Sequence, residues 1–168
     1  MKTLLTSLLT VALACASVCF VRPGRAMAYS AAQLGTSEYP HAELARVRNA
    51  TAKYHVLEEA EADGYVNINF CEPGEGCHWL NPSLVDGTFD PELPEILLYA
   101  PGENGKLHLV AVEYVVPLGF TLAAPAGFTG DSDLWREDTE GAGLWELTAW
   151  IWLNNPSGLF EQHNPLVP

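Results

Sequence analysis

The sequence predicts an α+β fold, an antiparallel β-sheet with one long N-terminal helix packed on it. Three observations carry this expectation. Only residues 41–63 repeat their apolar positions at the helical period. Several shorter runs have the length and composition of strands, and no helix separates them. Two of those runs are joined through Asn104-Gly105, a dipeptide suited to the positive backbone angles of a tight hairpin. Consecutive strands in a hairpin disfavour a doubly wound parallel sheet. A mostly-β sandwich or barrel is the alternative.

The N-terminal segment reads as a targeting signal. Met1-Lys2 supplies a positive start, residues 4–21 are apolar or small almost throughout, and Ala26-Met27-Ala28 offers a small-x-small cleavage site. Residues 1–28 are therefore expected to be a secretory signal peptide. A cut after Ala16, or an uncleaved anchor, is the alternative, since about 18 apolar residues just suffice to span a bilayer. Residues 29–39 read as a flexible lead-in, and 40–168 as a single globular domain. The expected location is secreted or periplasmic.

Charge narrows the partners. The chain of 168 residues carries a formal net charge of −13. All 21 acidic residues lie beyond position 28, against Arg46, Arg48, Lys53, Lys106 and Arg136. An acidic surface of this kind repels phosphate backbones and anionic lipid headgroups. It excludes nucleic acid and, once the signal is cleaved, a membrane surface as partners. It attracts cations.

Pro40 suits the first turn of a helix. Leu44, Val47, Ala50, Tyr54, Leu57 and Ala60 then form one apolar stripe, and Gly64 provides the stop. Residues 65–70 alternate, with Val66, Ile68 and Phe70 on one side and Tyr65, Asn67 and Asn69 on the other, as in a half-buried strand. Cys71 and Cys77 follow in a C-x5-C spacing turned by Pro73, Gly74 and Gly76. In an oxidising compartment an even pair at this range predicts a disulfide. A structural zinc would need more sulfur ligands. Asn81-Pro82 makes a turn, 83–94 reads as loop, and 95–100 as a strand.

The hairpin then leads into residues 107–117, LHLVAVEYVVP. This run is apolar on both alternating faces, so it belongs in the middle of a sheet. Residues 118–143 break into glycines, prolines and acids. A connection this long serves as a lid or binding loop, or packs as a surface excursion. Residues 144–153 read as the last strand, with Trp145, Leu147, Ala149, Ile151 and Leu153 on one face. Thr148, Trp150 and Trp152 share the other.

Several motifs together resemble a family of small exported proteins of bacteria and fungi whose members carry no assigned function. They are 50–54 (ATAKY), 62–65 (ADGY), 76–82 (GCHWLNP), 94–99 (PEILLY), 109–117 (LVAVEYVVP), 126–130 (AGFTG) and 155–160 (NPSGLF). The resemblance covers roughly 50–168. It implies export and is silent on activity. This chain departs from the family pattern at Cys77, where relatives carry an aromatic residue, and at Thr148, where they carry His.

Glu113 is the residue most out of place in its surroundings. Burying a carboxylate is costly unless it is paired or ligates a metal, and an unpaired one titrates high, as a general acid or base does. His78 follows the disulfide loop directly, so its backbone is restrained. Glu113 and His78 are the candidate catalytic pair. His78, Glu113 and His163 are the candidate ligands of a divalent metal. His108 is expected on the face opposite Glu113. Thr148, Trp150 and Trp152 are the candidate lining of a pocket for a small apolar or sugar-like ligand. A cupin motif fails for want of His-x-His. An EF-hand fails at Trp135 and Arg136. The residues favour an exported, disulfide-stabilised, acidic domain that binds a small ligand or a cation. An enzyme using Glu113 and His78 is the second reading, and an interaction protein without a site the third.

Overall fold

The computed structural model describes residues 40–139 and 141–168. The expected signal peptide and lead-in, 1–28 and 29–39, lie outside the described residues. Helix α1 spans His41–Thr51 and α2 spans Leu57–Ala62, with a 3-10 turn, Ala52–His55, between them. The strands are β1 (Val66–Glu72), β2 (Gly76–Leu80), β3 (Ile96–Pro101), β4 (Leu107–Pro117), β5 (Arg136–Asp138) and β6 (Leu144–Ala149). Among the described residues they form one open antiparallel sheet in the order β1-β2-β3-β4-β6-β5. The fold is α+β, and the sheet closes into neither a sandwich nor a barrel. None of the described helices is long and apolar enough to cross a membrane.

The helical stripe is real, but the single long helix is not. Val56 is extended, at φ −96° and ψ 108°, and breaks the run into two short helices. Tertiary contacts explain the break. The Tyr54 carbonyl, which a continuous helix would use for itself, instead accepts a hydrogen bond from the Tyr99 hydroxyl at 2.6 Å. Thr51 turns its hydroxyl back onto the Val47 carbonyl at 2.7 Å. The two arms are then fastened together, because both Lys53 and the Tyr54 hydroxyl bond Asp63. Leu44, Val47, Tyr54 and Ala60 all remain buried, against Trp79, Leu97, Tyr99, Val112 and Tyr114 of the sheet. The kink lets a stripe too long for one straight helix stay on the sheet.

The other side of the sheet carries a smaller apolar cluster that includes Ile96, Leu98, Ala111, Val115, Trp150 and Val167. No helix among the described residues covers this side. That changes the meaning of β1, which is an edge strand. The expected half-buried alternation is not seen: Val66, Ile68 and Phe70 are 40–50% exposed, the residues between them are exposed too, and the pairing with β2 is irregular between Asn67 and Cys71, where Asn69 has φ 58°. Tyr65 is the residue that enters the helix-side core, where it packs edge-on to Tyr54 and donates to the Pro94 carbonyl.

Strand β4 occupies the expected central position, between β3 and β6. It contains a bulge. The register slips between the Leu98–Ala111 and Tyr99–Leu109 pairs, leaving Val110 as the extra residue. A bulge reverses the alternation on either side of it. His108 and Glu113 consequently fall on the same side of the sheet, not on opposite sides. His108 is exposed at the hairpin end. The Val110 carbonyl accepts from the backbone of Trp152 and Leu153. This draws the chain away after Ala149, so β6 ends there and not at Leu153.

The long connection after β4, mostly exposed in its described residues, is anchored at Phe128 and supplies part of the lining of the open side. Phe128 is buried on the helix side, in ring contact with Phe89, Tyr114 and Phe160. The segment then returns as β5 and pairs with β6, bringing Arg136 opposite Glu146.

Candidate functional site

Directly opposed residues in an antiparallel sheet share a face. On the open side the rows run Leu80–Ile96–Glu113–Thr148 and His78–Leu98–Ala111, with Val115–Glu146–Arg136 alongside. Leu80, Ile96, Glu113, His78, Val115, Glu146 and Arg136 of these rows line a cleft of about 880 Å³. Its apolar wall includes Ile68, Phe70, Val85, Ile96, Val115 and Leu144. Its polar end holds Glu75, His78, Glu113, Arg136 and Glu146. Ile68 and Phe70, exposed on β1, are thus part of the wall of a cavity.

Glu113 and His78 converge. Glu113 Oε2 lies 3.4 Å from His78 Nε2, and both side chains are at most 5% exposed. The other imidazole nitrogen, Nδ1, lies 3.2 Å from the Phe70 carbonyl, to which it donates. The ring is therefore fixed with Nε2 facing the acids. Glu113 Oε1 accepts a hydrogen bond from Thr148 Oγ1 at 3.3 Å, and Arg136 Nη2 stands 3.9 Å away. Burial works against a charged His78, but Glu113, Glu75 and the Phe70 carbonyl outweigh it, and the pKa of the ring is raised.

Glu75 is a participant that sequence reasoning missed. It is 4% exposed, and its two oxygens face two histidines. Oε2 is 3.6 Å from His78 Nε2 and Oε1 is 3.4 Å from His163 Nε2. Oε1 accepts no hydrogen bond. Burial, reinforced by Glu113, pushes this carboxyl up, and Gln162 and His78 offset only part of that. The available signal was its position, a carboxylate between two glycines inside a disulfide loop. That loop is formed as expected, with Cys71 and Cys77 bonded and facing each other across β1 and β2. Gly76 has φ +94°, and a Cβ there would stand 2.6 Å from the Tyr99 carbonyl oxygen. Only glycine lets the loop close so near β3.

His163 does not join His78 and Glu113 directly; Glu75 stands between them. Among the described residues, the three side chains whose ligand atoms lie within 4.8 Å of one another are Glu72, Glu75 and His163. The tail that carries His163 is held in place. Asn164 donates its backbone N–H to the Gly74 carbonyl at 2.8 Å, and Asn155 Nδ2 donates to the His163 carbonyl at 3.0 Å.

None of the three expected lining residues lines the cleft: Thr148 is buried behind Glu113, to which it donates, and Trp150 and Trp152 leave because β6 stops at Ala149. Trp150 is buried in the open-side cluster and donates its indole N–H to the Glu161 carbonyl at 2.6 Å. Trp152 packs edge-on to His55 and donates to Thr51 Oγ1 at 3.1 Å. Together they border a separate depression beside Arg48 and Asn155.

Glu146 and Arg136 were also missed, since nothing local sets them apart from other surface charges. Burial, with Glu113 adding to it, pushes Glu146 up to about 7, against the pull of Arg136. Arg136 Nη2 is buried without a hydrogen-bond partner, 3.8 Å from Glu146 and 3.9 Å from Glu113. Comparison of the chain with protein-family models, with curated proteins and with solved structures finds no match.

Proposed function

We propose that the chain is an exported binding domain whose cleft receives a small apolar amine in its ammonium form. The observation that carries this is the division of the cleft into an apolar wall and an acid-rich end. A cavity of about 880 Å³ is of the size that takes a small organic ligand. Six carboxylate side chains line it, against Arg136 and His78. Such an end favours a cationic head and disfavours an anionic one. Phe70, half-exposed beside His78, offers the aromatic face that an ammonium group prefers. The apolar body would lie along Ile68, Ile96, Val115 and Leu144. The disulfide supports export, because such bonds persist in oxidising compartments.

The test is titration of the purified protein with hexylammonium, hexanol and hexanoate, read by calorimetry. Saturable binding of the amine is expected, weakened at least about tenfold by Glu113→Gln or Phe70→Ala, corresponding to about 1.4 kcal/mol. Equal or tighter binding of hexanoate would overturn the reading.

One observation favours a second reading. His78 Nε2 faces Glu113 Oε2 at 3.4 Å on the floor of the cleft, the arrangement of an acid/base pair. Hydrolysis or isomerisation of any bound ligand, lost in His78→Gln with binding retained, would establish it.

A further inference from the structure

We infer that the chain holds a divalent first-row metal ion on Glu72, Glu75 and His163, at the edge of the cleft. The site shares Glu72 and Glu75 with the acidic end of the cleft, but the ion is held whether or not an amine binds.

Spacing is the first argument. Glu75 Oε1 and His163 Nε2 are 3.4 Å apart, and the nearest ligand atoms of all three side chains fall within 4.8 Å of one another. A hydrogen bond between nitrogen and oxygen spans roughly 2.7–3.2 Å. Two ligands each about 2.1 Å from a tetrahedral ion stand roughly 3.4 Å apart. The observed separation is long for the first and suits the second.

The second argument is an unsatisfied atom. Glu75 is 4% exposed, and its Oε1 is buried without a hydrogen bond. A carboxylate oxygen taken out of water needs a partner, and leaving it without one carries a desolvation penalty. This atom faces an exposed imidazole, and a cation between the two satisfies both.

The third argument is preorganisation. The Cys71–Cys77 disulfide and the Glu75 N–H to Glu72 carbonyl bond, 3.1 Å, hold the two carboxylates in one turn. Gly74 has φ +85°, and a Cβ there would stand 3.2 Å from the His163 ring. The missing side chain is what lets the imidazole settle over the loop. Asn155 and the Gly74 carbonyl then pin both polar groups of the peptide that joins His163 to Asn164. The remaining Glu75 oxygen faces His78, which in turn bonds the Phe70 carbonyl, so the carboxylate is also supported from behind.

The donor set names the ion class. Two carboxylates and one imidazole suit Zn²⁺ or Mn²⁺; calcium takes oxygen ligands, and copper(I) prefers sulfur. Three protein ligands leave at least one coordination position for water or for a ligand entering from the cleft.

The experiment is calorimetric titration of untagged, chelator-stripped protein with Zn²⁺ and with Mn²⁺, in the absence of any amine. One-to-one binding is expected, weakened at least about tenfold by His163→Ala and by Glu75→Gln and unchanged by Glu58→Gln on α2 (about 1.4 kcal/mol per tenfold). A second readout is selective broadening of the His163 imidazole resonances by Mn²⁺. No binding up to millimolar metal would overturn the inference. So would binding that both variants leave intact, or broadening spread over exposed acids with His163 spared. Failure here leaves the amine titration untouched, and failure there leaves this one untouched.

Discussion

Glu113 on β4 and His78 on β2 meet at 3.4 Å although their strands never touch. Strand β3 lies between them and puts Ile96 and Leu98 beneath the two side chains. The contact therefore reaches across a strand of apolar residues, which have nothing to offer either charge. Each of the two groups is the other's nearest opposite charge, and the ionisation of His78 is tied to Glu113.

That tie has a direction. His78 is raised in the folded chain, with burial opposed and outweighed by Glu113, Glu75 and Phe70. The stability it contributes is fully present below the unfolded value, about 6.5, and is lost as pH rises through the folded value. In a histidine-proton NMR titration His78 should titrate above an unfolded reference. Glu113→Gln should move its midpoint down. An unmoved midpoint in the variant would show that Glu113 does not hold the charge.

Glu95 makes the opposite kind of prediction. It is 2% exposed, burial pushes it up to about 8, and the Val115 N–H, 3.1 Å from its Oε2, offsets only part of that. The folded chain therefore binds this proton more tightly than the unfolded chain. Stability should fall as pH rises from about 4.5 to about 8 and stay lowered above that. Glu95→Gln keeps an oxygen for Val115 and removes the titration. In urea melts between pH 5 and 9 the variant should gain on the parent by on the order of 2 kcal/mol at the alkaline end, and by little at the acid end. A pH-independent difference would contradict this.

Reducing the disulfide should cost stability and disturb the site together. Closing a loop this short is worth about 2 kcal/mol. The loop also carries Glu75 between Gly74 and Gly76. Thermal melts of Cys71→Ser/Cys77→Ser should show a lower Tm, and metal titrations of the same protein, folded at low temperature, a lower affinity. Retained affinity with a lowered Tm would mean that the strand pairing alone holds Glu75 in place.

Two glycines separate crowding from backbone strain. Gly76, at φ +94°, faces the Tyr99 carbonyl at 2.6 Å from its absent Cβ, whereas Gly105, at φ +73°, faces nothing within 4 Å. Gly105→Ala should cost about 1 kcal/mol, the ordinary penalty of a left-handed alanine. Gly76→Ala should cost well above that, about 3 kcal/mol, because β2 must also move off β3. Equal losses in chemical denaturation would refute the crowding argument.

Much of this was legible in the residues. The apolar run 107–117, the Asn-Gly hairpin and the C-x5-C bridge follow from spacings of a few residues, and Glu113 stood out because its neighbours are apolar. The amphipathic stripe of 41–63 was equally plain. What tertiary structure alone decided was where that stripe bends, since the Tyr99 hydroxyl that takes the Tyr54 carbonyl comes from a distant strand. It also decided that β6 lies beside β4, which sets Thr148 against Glu113, and that Ile68 and Phe70 line a cleft. Glu75, Glu146 and Arg136 look in sequence like ordinary surface charges. They become a site only because strand order and a pinned tail gather them. Alternation and turn chemistry act between near neighbours along the chain, while the burial and pairing of a charge depend on which distant segments pack around it.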